Sequence, residues 1–142
     1  MKKKITSEIT QDFPKNFIGI SSHFKDIQIA WSLGDGANLH FVKTDDFISK
    51  GKTPEKTFNF SMFQYFDEQN INHYLIANKT RKKDAILFPK YKAVDFIYIS
   101  NLPLEQLSSL TNKISKSKMI IGSFMLPLNS QNSKMFKKMF EE

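Results

Sequence analysis

The sequence predicts an α+β domain: a mostly antiparallel sheet of about six to seven strands with two or three helices, among them a C-terminal β-α-β unit and a terminal amphipathic helix. Three observations predict it. The chain has 142 residues, the length of one domain, so 1–142 reads as a single α+β domain. Short β-branched and aromatic runs recur between turn residues, and Phe 14, Tyr 4 and Trp 1 make 13% of the chain aromatic. Two segments near the C-terminus repeat their apolar residues at helical spacing instead.

Taken in order, Asn16 to Ser21 reads as a strand by its β-branched content. Ser22 to Leu33 is ambiguous. Ile27, Ile29, Trp31 and Leu33 alternate with Asp26, Gln28, Ala30 and Ser32 as in a strand, yet Phe24, Ile27 and Trp31 form a helical stripe that Gly34 is placed to end. Leu39 to Val42 is a short strand, and Lys43 to Lys56, with Gly51 and Pro54, is a polar loop. Thr57 to Asp67 and Ile71 to Asn78 flank Glu68-Gln69-Asn70 as a hairpin. Ile86 to Phe88 and Val94 to Ser100 are further strands, separated by Pro89. Leu104 to Lys116 is the clearest helix: Pro103 suits its first turn, Glu105 its dipole, and Leu107, Leu110 and Ile114 share a face. Met119 to Phe124 returns as a strand and completes the β-α-β unit from Val94. The end of the chain, 130–142, is an amphipathic helix packed on the domain or on a partner. In it Met135, Phe136, Met139 and Phe140 form one arc and Lys134, Lys137 and Lys138 the other, which makes the apolar four a candidate interface.

With no Cys, disulfides, thiolate metal sites and cysteine nucleophiles are excluded, and no apolar run reaches the roughly 20 residues that span a bilayer. A cytoplasmic location is the expectation. Lys+Arg exceeds Asp+Glu by 21 − 14 = +7, unevenly. Lys79, Arg81, Lys82, Lys83, Lys90 and Lys92 face only Asp84, which marks them as a candidate polyanion-binding segment. Lys2-Lys3-Lys4 adds charge at the start and the Lys134–Lys138 cluster at the end. Arg81 is the only Arg, so reading of guanine edges is disfavoured and any nucleic-acid mode is led by phosphate and shape.

No catalytic, cofactor-binding or metal-binding constellation emerges. His23, His40 and His73 lack metal-ligand spacing, and His40 and His73 read as alternating strand residues. Gly34-Asp35-Gly36 has neither the ending of a phosphate loop nor the closing Glu of a calcium loop, and reads as a turn or helix cap. Asp45-Asp46 and Asp67-Glu68 read as turn and cap residues, and no Gly-x-Ser-x-Gly elbow occurs. Asp95 is the odd residue. Strand alternation sets it with Ile97 and Ile99, opposite Val94, Phe96 and Tyr98, either as a carboxylate bonding the backbone around Pro89 or as a base.

Phe88-Pro89-Lys90-Tyr91-Lys92-Ala93-Val94-Asp95-Phe96 resembles the signature of the bacterial IPExxxVDY family, with Pro89, Val94 and Asp95 matching, Phe88 standing for Ile and Phe96 for Tyr. Lys90 replaces the family's Glu. Phe17 to Ser22, Lys25-Asp26, Ala30-Trp31, Asp45 to Phe47, Tyr65 to Glu68 and Tyr74 to Lys79 are similar to its recurrent segments, in order. The resemblance implies a structural role for Phe88, Pro89, Val94, Asp95 and Phe96, a helix over Ser22–Leu33, and no known biochemical activity. It also implies a neighbour, since members are often encoded beside a double-strand-specific ribonuclease gene, an association that points to RNA. Two functions are therefore expected of a non-enzymatic accessory protein without cofactors. One is association with RNA or the ribosome through lysine-rich surfaces. The other is a homodimer or protein-interaction domain that uses its aromatic sheet face or its C-terminal Met/Phe helix.

Overall fold

The structure is a computed structural model that describes residues 14–49, 57–82 and 85–140. Its strands are β1 (Asn16–Ser21), β2 (Val42–Ser49), β3 (Phe58–Phe66), β4 (Asn72–Ala77), β5 (Phe96–Ser100) and β6 (Gly122–Pro127). Its α-helices are α1 (Asp26–Ala37), α2 (Leu104–Ser115) and α3 (Ser130–Phe136), with single 3₁₀ turns at Pro89–Tyr91 and Lys137–Phe140. The strands form one antiparallel sheet in the order β2-β3-β4-β5-β1-β6. β5 and β6 both run antiparallel to β1 and so parallel to each other. The C-terminal β-α-β unit is thus split, with β1, the first described strand, inserted between its two strands.

Strand alternation sends side chains to two covered faces. Ile18, Ile20, Phe63, Leu75, Phe96 and Tyr98 meet Ile29 and Leu33 of α1 and Leu107, Leu110 and Ile114 of α2. On the opposite, outer face, Phe17, Phe60, Tyr74, Ile76, Ile97 and Ile99 meet Leu87, Phe88, Val94, Leu128 and Phe136. Each fully buried aliphatic or Phe side chain contributes roughly 1.5–3 kcal/mol, so both layers are needed to hold a sheet this size.

Ser22–Leu33 resolves into a helix that starts at Asp26 and runs beyond Gly34 and Gly36 to Ala37. Neither glycine ends it, contrary to the reading of Gly34-Asp35-Gly36 as a turn or cap. Asn38, at φ 61°, caps it in the left-handed region and its N–H reaches Leu33 O. Gly36 is needed for a close approach, since a Cβ there would lie 2.9 Å from Ser117 Cβ. The buried face is Ile29, Ala30, Leu33 and Ala37, whereas the stripe of Phe24, Ile27 and Trp31 faces outward.

The expected loop from Lys43 is instead the edge strand β2, which hides no periodic face because most of it is exposed. Its Asp45-Asp46 pair sits where the β2–β3 register shifts between Thr44 and Phe47, in a bulge rather than a turn. The part of that expected loop at 50–56 lies outside the described residues. Ile86–Phe88 is no strand beyond a single Lys79–Ile86 bridge. β6 begins three residues later than Met119, because Met119 turns the chain at φ 71° with its carbonyl held by Ser22 Oγ at 2.5 Å.

Candidate functional site

The basic excursion between β4 and β5 is organised by a residue the sequence did not single out. Asn78, 0% exposed, donates Nδ2 to the carbonyls of Tyr91 (3.1 Å) and Val94 (2.8 Å) and accepts Phe88 N–H on Oδ1 at 2.8 Å. Its own N–H goes to Asp95 O and its carbonyl receives Leu87 N–H. One side chain therefore closes the excursion at both ends and saturates its own buried amide. The apolar underside completes the attachment: the Phe88 ring meets Phe17 edge-on at 5.0 Å and Phe136 at 5.7 Å. Val94 sits so close over β1 that a Cβ at Gly19 would lie 2.9 Å from Val94 Cγ2, so only glycine fits there.

Asp95 does something other than fix the Pro89 turn, which is the work of Asn78. Its Oδ2 accepts Ser22 N–H at 2.9 Å, and its Oδ1 lies 3.0 Å from Lys79 Nζ, so it ties the end of β1 to the start of the excursion. The chain bends ahead of β5, and Val94 therefore packs with Ile97 and Ile99 rather than opposite them. Phe88, Val94 and Phe96 are buried, and Pro89 is exposed at the 3₁₀ turn.

Of the candidate polyanion-binding residues, Arg81, Lys82, Lys90 and Lys92 are exposed on this excursion, and Lys90 Nζ rests 5.8 Å from the Tyr91 ring. Lys79 is half-buried and engaged by Asp95. Lys83 lies outside the described residues, as do Lys2-Lys3-Lys4. Lys134 and Lys137 are exposed on the C-terminal segment, whose Phe136 packs against Phe88 of the excursion. The candidate interface residues pack on their own domain. Phe136 is fully buried, and Met135, Met139 and Phe140 lean on the outer-face core, with the Phe140 ring 5.3 Å from Tyr74.

A second polar centre occupies the helix-covered face. Tyr65, His73 and Ser100 form one cross-strand row over β3, β4 and β5. His73, 3% exposed, has Nδ1 2.6 Å from the Tyr98 hydroxyl and Nε2 2.8 Å from Asp67 Oδ2. The Tyr98 oxygen is also 2.8 Å from Ser100 Oγ, and the Tyr65 ring stacks on the imidazole at 5.3 Å. Burial lowers the His73 pKa below its ordinary value of 6.5, although the Asp67 carboxylate works against this. Burial opposes ionisation of Asp67 too, but hydrogen bonds from His73 and from the Ile71 and Gln69 amides prevail and hold its pKa below 3.8. The phenol of Tyr98 is pushed well up by burial.

A neutral ring donates Nε2–H to Asp67 and accepts a hydrogen bond from the Tyr98 O–H at Nδ1. A protonated ring donates at both nitrogens and leaves Tyr98 to donate to Ser100. The sequence held a partial signal of this network: alternation puts His73 on the face of Leu75 and Ala77, where a polar ring needs partners. His23 and His40 do not join it. His40 is exposed, bonded to Asn38 at 3.0 Å and edge-on to Tyr65 at 5.9 Å. Among the described residues no group of three His, Asp or Glu side chains could hold a metal, and no helix is long and apolar enough to cross a membrane.

An open groove of about 670 Å³ runs between α1 and the start of β2, lined mainly by Ile27, Trp31, Phe41, Val42 and Phe63. Trp31 is 57% exposed at its rim. No family model, curated protein or solved structure matches the chain.

Proposed function

We propose that the chain is a non-enzymatic cytoplasmic accessory domain that holds RNA, free or within a ribosome, by its phosphates. The observation that carries this reading is the excursion after β4, where Arg81, Lys82, Lys90 and Lys92 are exposed and Asn78 locks the Phe88–Val94 backbone that carries Lys90 and Lys92. Cations on a backbone held in this way lose little freedom on meeting a polyanion, and each phosphate neutralised releases counterions. Lys79 supports the loop from below by pairing its charge with Asp95. The exposed cations outnumber the acids described on the same segment, which fits a chain whose net charge is +7.

The alternative, a homodimer joined through the aromatic sheet face or the C-terminal Met/Phe helix, has less support, because those side chains cover one another within the domain. The test is retention of a mixed-sequence single-stranded RNA as salt is raised. Replacing Arg81, Lys82, Lys90 and Lys92 with Ala is expected to weaken binding and to flatten the dependence on log salt by roughly 0.7 for each phosphate that is no longer neutralised. A variant that binds as tightly as the parent with the same slope would sink the reading.

A further inference from the structure

The sheet ends in two edges of opposite chemistry. β2 is guarded: Lys43, Asp45 and Asp46 lie along it, and a bulge breaks its register with β3. β6 carries none of these devices. It pairs with β1 through six residues in unbroken register, from Gly122 opposite Ser21 to Pro127 opposite Asn16. It also lies within 119–133, fifteen consecutive residues without Lys, Arg, Asp, Glu or His, in a chain where one residue in four is charged. No other stretch of the sequence is free of these residues for as long. Ile121 and Phe124 are 62% and 54% exposed beside it.

The hydrogen-bond phase of this edge follows from one contact. Leu128 N–H donates to Lys15 O at 2.8 Å, so that pair is hydrogen-bonded and the alternation of an antiparallel ladder turns residues 126, 124 and 122 toward β1. Ser123 and Met125 then aim their N–H and C=O groups outward. Pro127 falls at the next outward position, where its missing N–H leaves the β1 ladder intact. Among the described residues, nothing pairs with these outward groups.

We infer that β6 is the contact strand of a homodimer, paired antiparallel with β6 of a second copy about a twofold axis at Met125. The edge is self-complementary in that register. Met125 exchanges both of its hydrogen bonds with its own counterpart, and each Ser123 N–H meets the carbonyl of the second copy's Pro127. On the outer face Phe124 comes opposite the second copy's Leu126, an apolar cross-strand pair that covers an exposed ring. A second copy fits because the register is self-complementary and the strip is uncharged, so two chains of +7 meet there with the least local repulsion. The contact is backbone and apolar in character, so it resists salt where binding by Arg81 and Lys82 does not.

Sedimentation of the full chain over roughly 1–100 µM is expected to show about twice the 16.5 kDa mass of one chain. Phe124→Lys sets like charges across the dyad and is expected to return the mass to one chain with the fold intact, since Phe124 is exposed. Met125→Pro removes an N–H that β1 does not use and is expected to do the same. Because the chain has no Cys, Met125→Cys places a lone thiol on the axis and oxidation is expected to yield a disulfide-linked dimer, whereas Val42→Cys on the guarded edge is not. A parent chain that stays monomeric across the range overturns the inference. So does a dimer that survives Phe124→Lys in folded protein.

Discussion

Asn78 and His73 stand five residues apart at and just beyond β4, and both are buried, yet they serve opposite faces of the sheet by opposite means. Asn78 commits its side chain entirely to backbone groups, those of Phe88, Tyr91 and Val94. His73 directs its two nitrogens to side chains, Tyr98 and Asp67. A neutral amide bonded to main chain dictates where the chain goes, and does so at any pH. An ionisable ring bonded to side chains dictates only how those side chains sit, and its grip changes with protonation. The basic excursion is therefore fixed unconditionally, while the β3–β4 turn at Asp67 is fixed conditionally.

Removing the amide should produce the largest effect. Asn78→Ala strands the Phe88 N–H and the Val94 carbonyl in an apolar layer, while the Tyr91 carbonyl keeps the Val94 N–H, and a loss of about 2–5 kcal/mol in urea unfolding is expected. Hydrogen exchange at Phe88 should lose its protection ahead of the strands. A loss below about 1 kcal/mol would erase the contrast with His73.

The pH profile sharpens the same contrast. The folded pKa of His73 lies below its unfolded value of 6.5, so the unfolded chain binds more protons below that pH. Stability from this group is present above pH 6.5 and falls as pH drops toward the folded pKa. Asp67, also depressed, adds a second decline below its ordinary 3.8. His73→Gln should cost about 2 kcal/mol at pH 8 and flatten the first decline, whereas Asn78→Ala should leave that slope unchanged. Equal slopes in parent and His73→Gln would show that the ring does not titrate in this range.

The smallest effect is expected at Asp95. Asn in its place still accepts the Ser22 N–H and forfeits only a half-exposed pair with Lys79, so Asp95→Asn should cost at most about 1 kcal/mol. A loss as large as that of Asn78→Ala would mean that the excursion is anchored by charge as well as by the amide.

What could be read from the sequence was whatever a local pattern encodes. α2 declared itself through Leu107, Leu110 and Ile114, and the β3–β4 hairpin through its aromatic runs and polar turn. The exposed cations of the excursion were equally plain. β2 was invisible because an edge strand exposed on most of its length shows no alternation. Gly36 misled because its reason is Ser117, which only the folded chain brings near. Asn78 and the Lys79–Asp95 pair depend on partners at least ten residues away, and no spacing rule names them. The His73 network was half legible: alternation placed the ring in a strand without deciding between burial and exposure, and its partners followed from a register that the sequence does not print.

The position of β1 has a consequence for synthesis on the ribosome. Ile18 pairs with Tyr98 and Met125, 98 − 18 = 80 and 125 − 18 = 107 residues downstream. At roughly 5–20 residues per second, β1 emerges several seconds before either neighbour exists. Through that interval Phe17, Ile18 and Ile20 have no sheet to join, while β3 and β4 can already close their hairpin. Both β1 pairings close long loops late, which places this chain among slowly folding topologies. A nascent chain halted before β5 thus presents a bare apolar strand with two open edges, the form in which this protein most needs a chaperone.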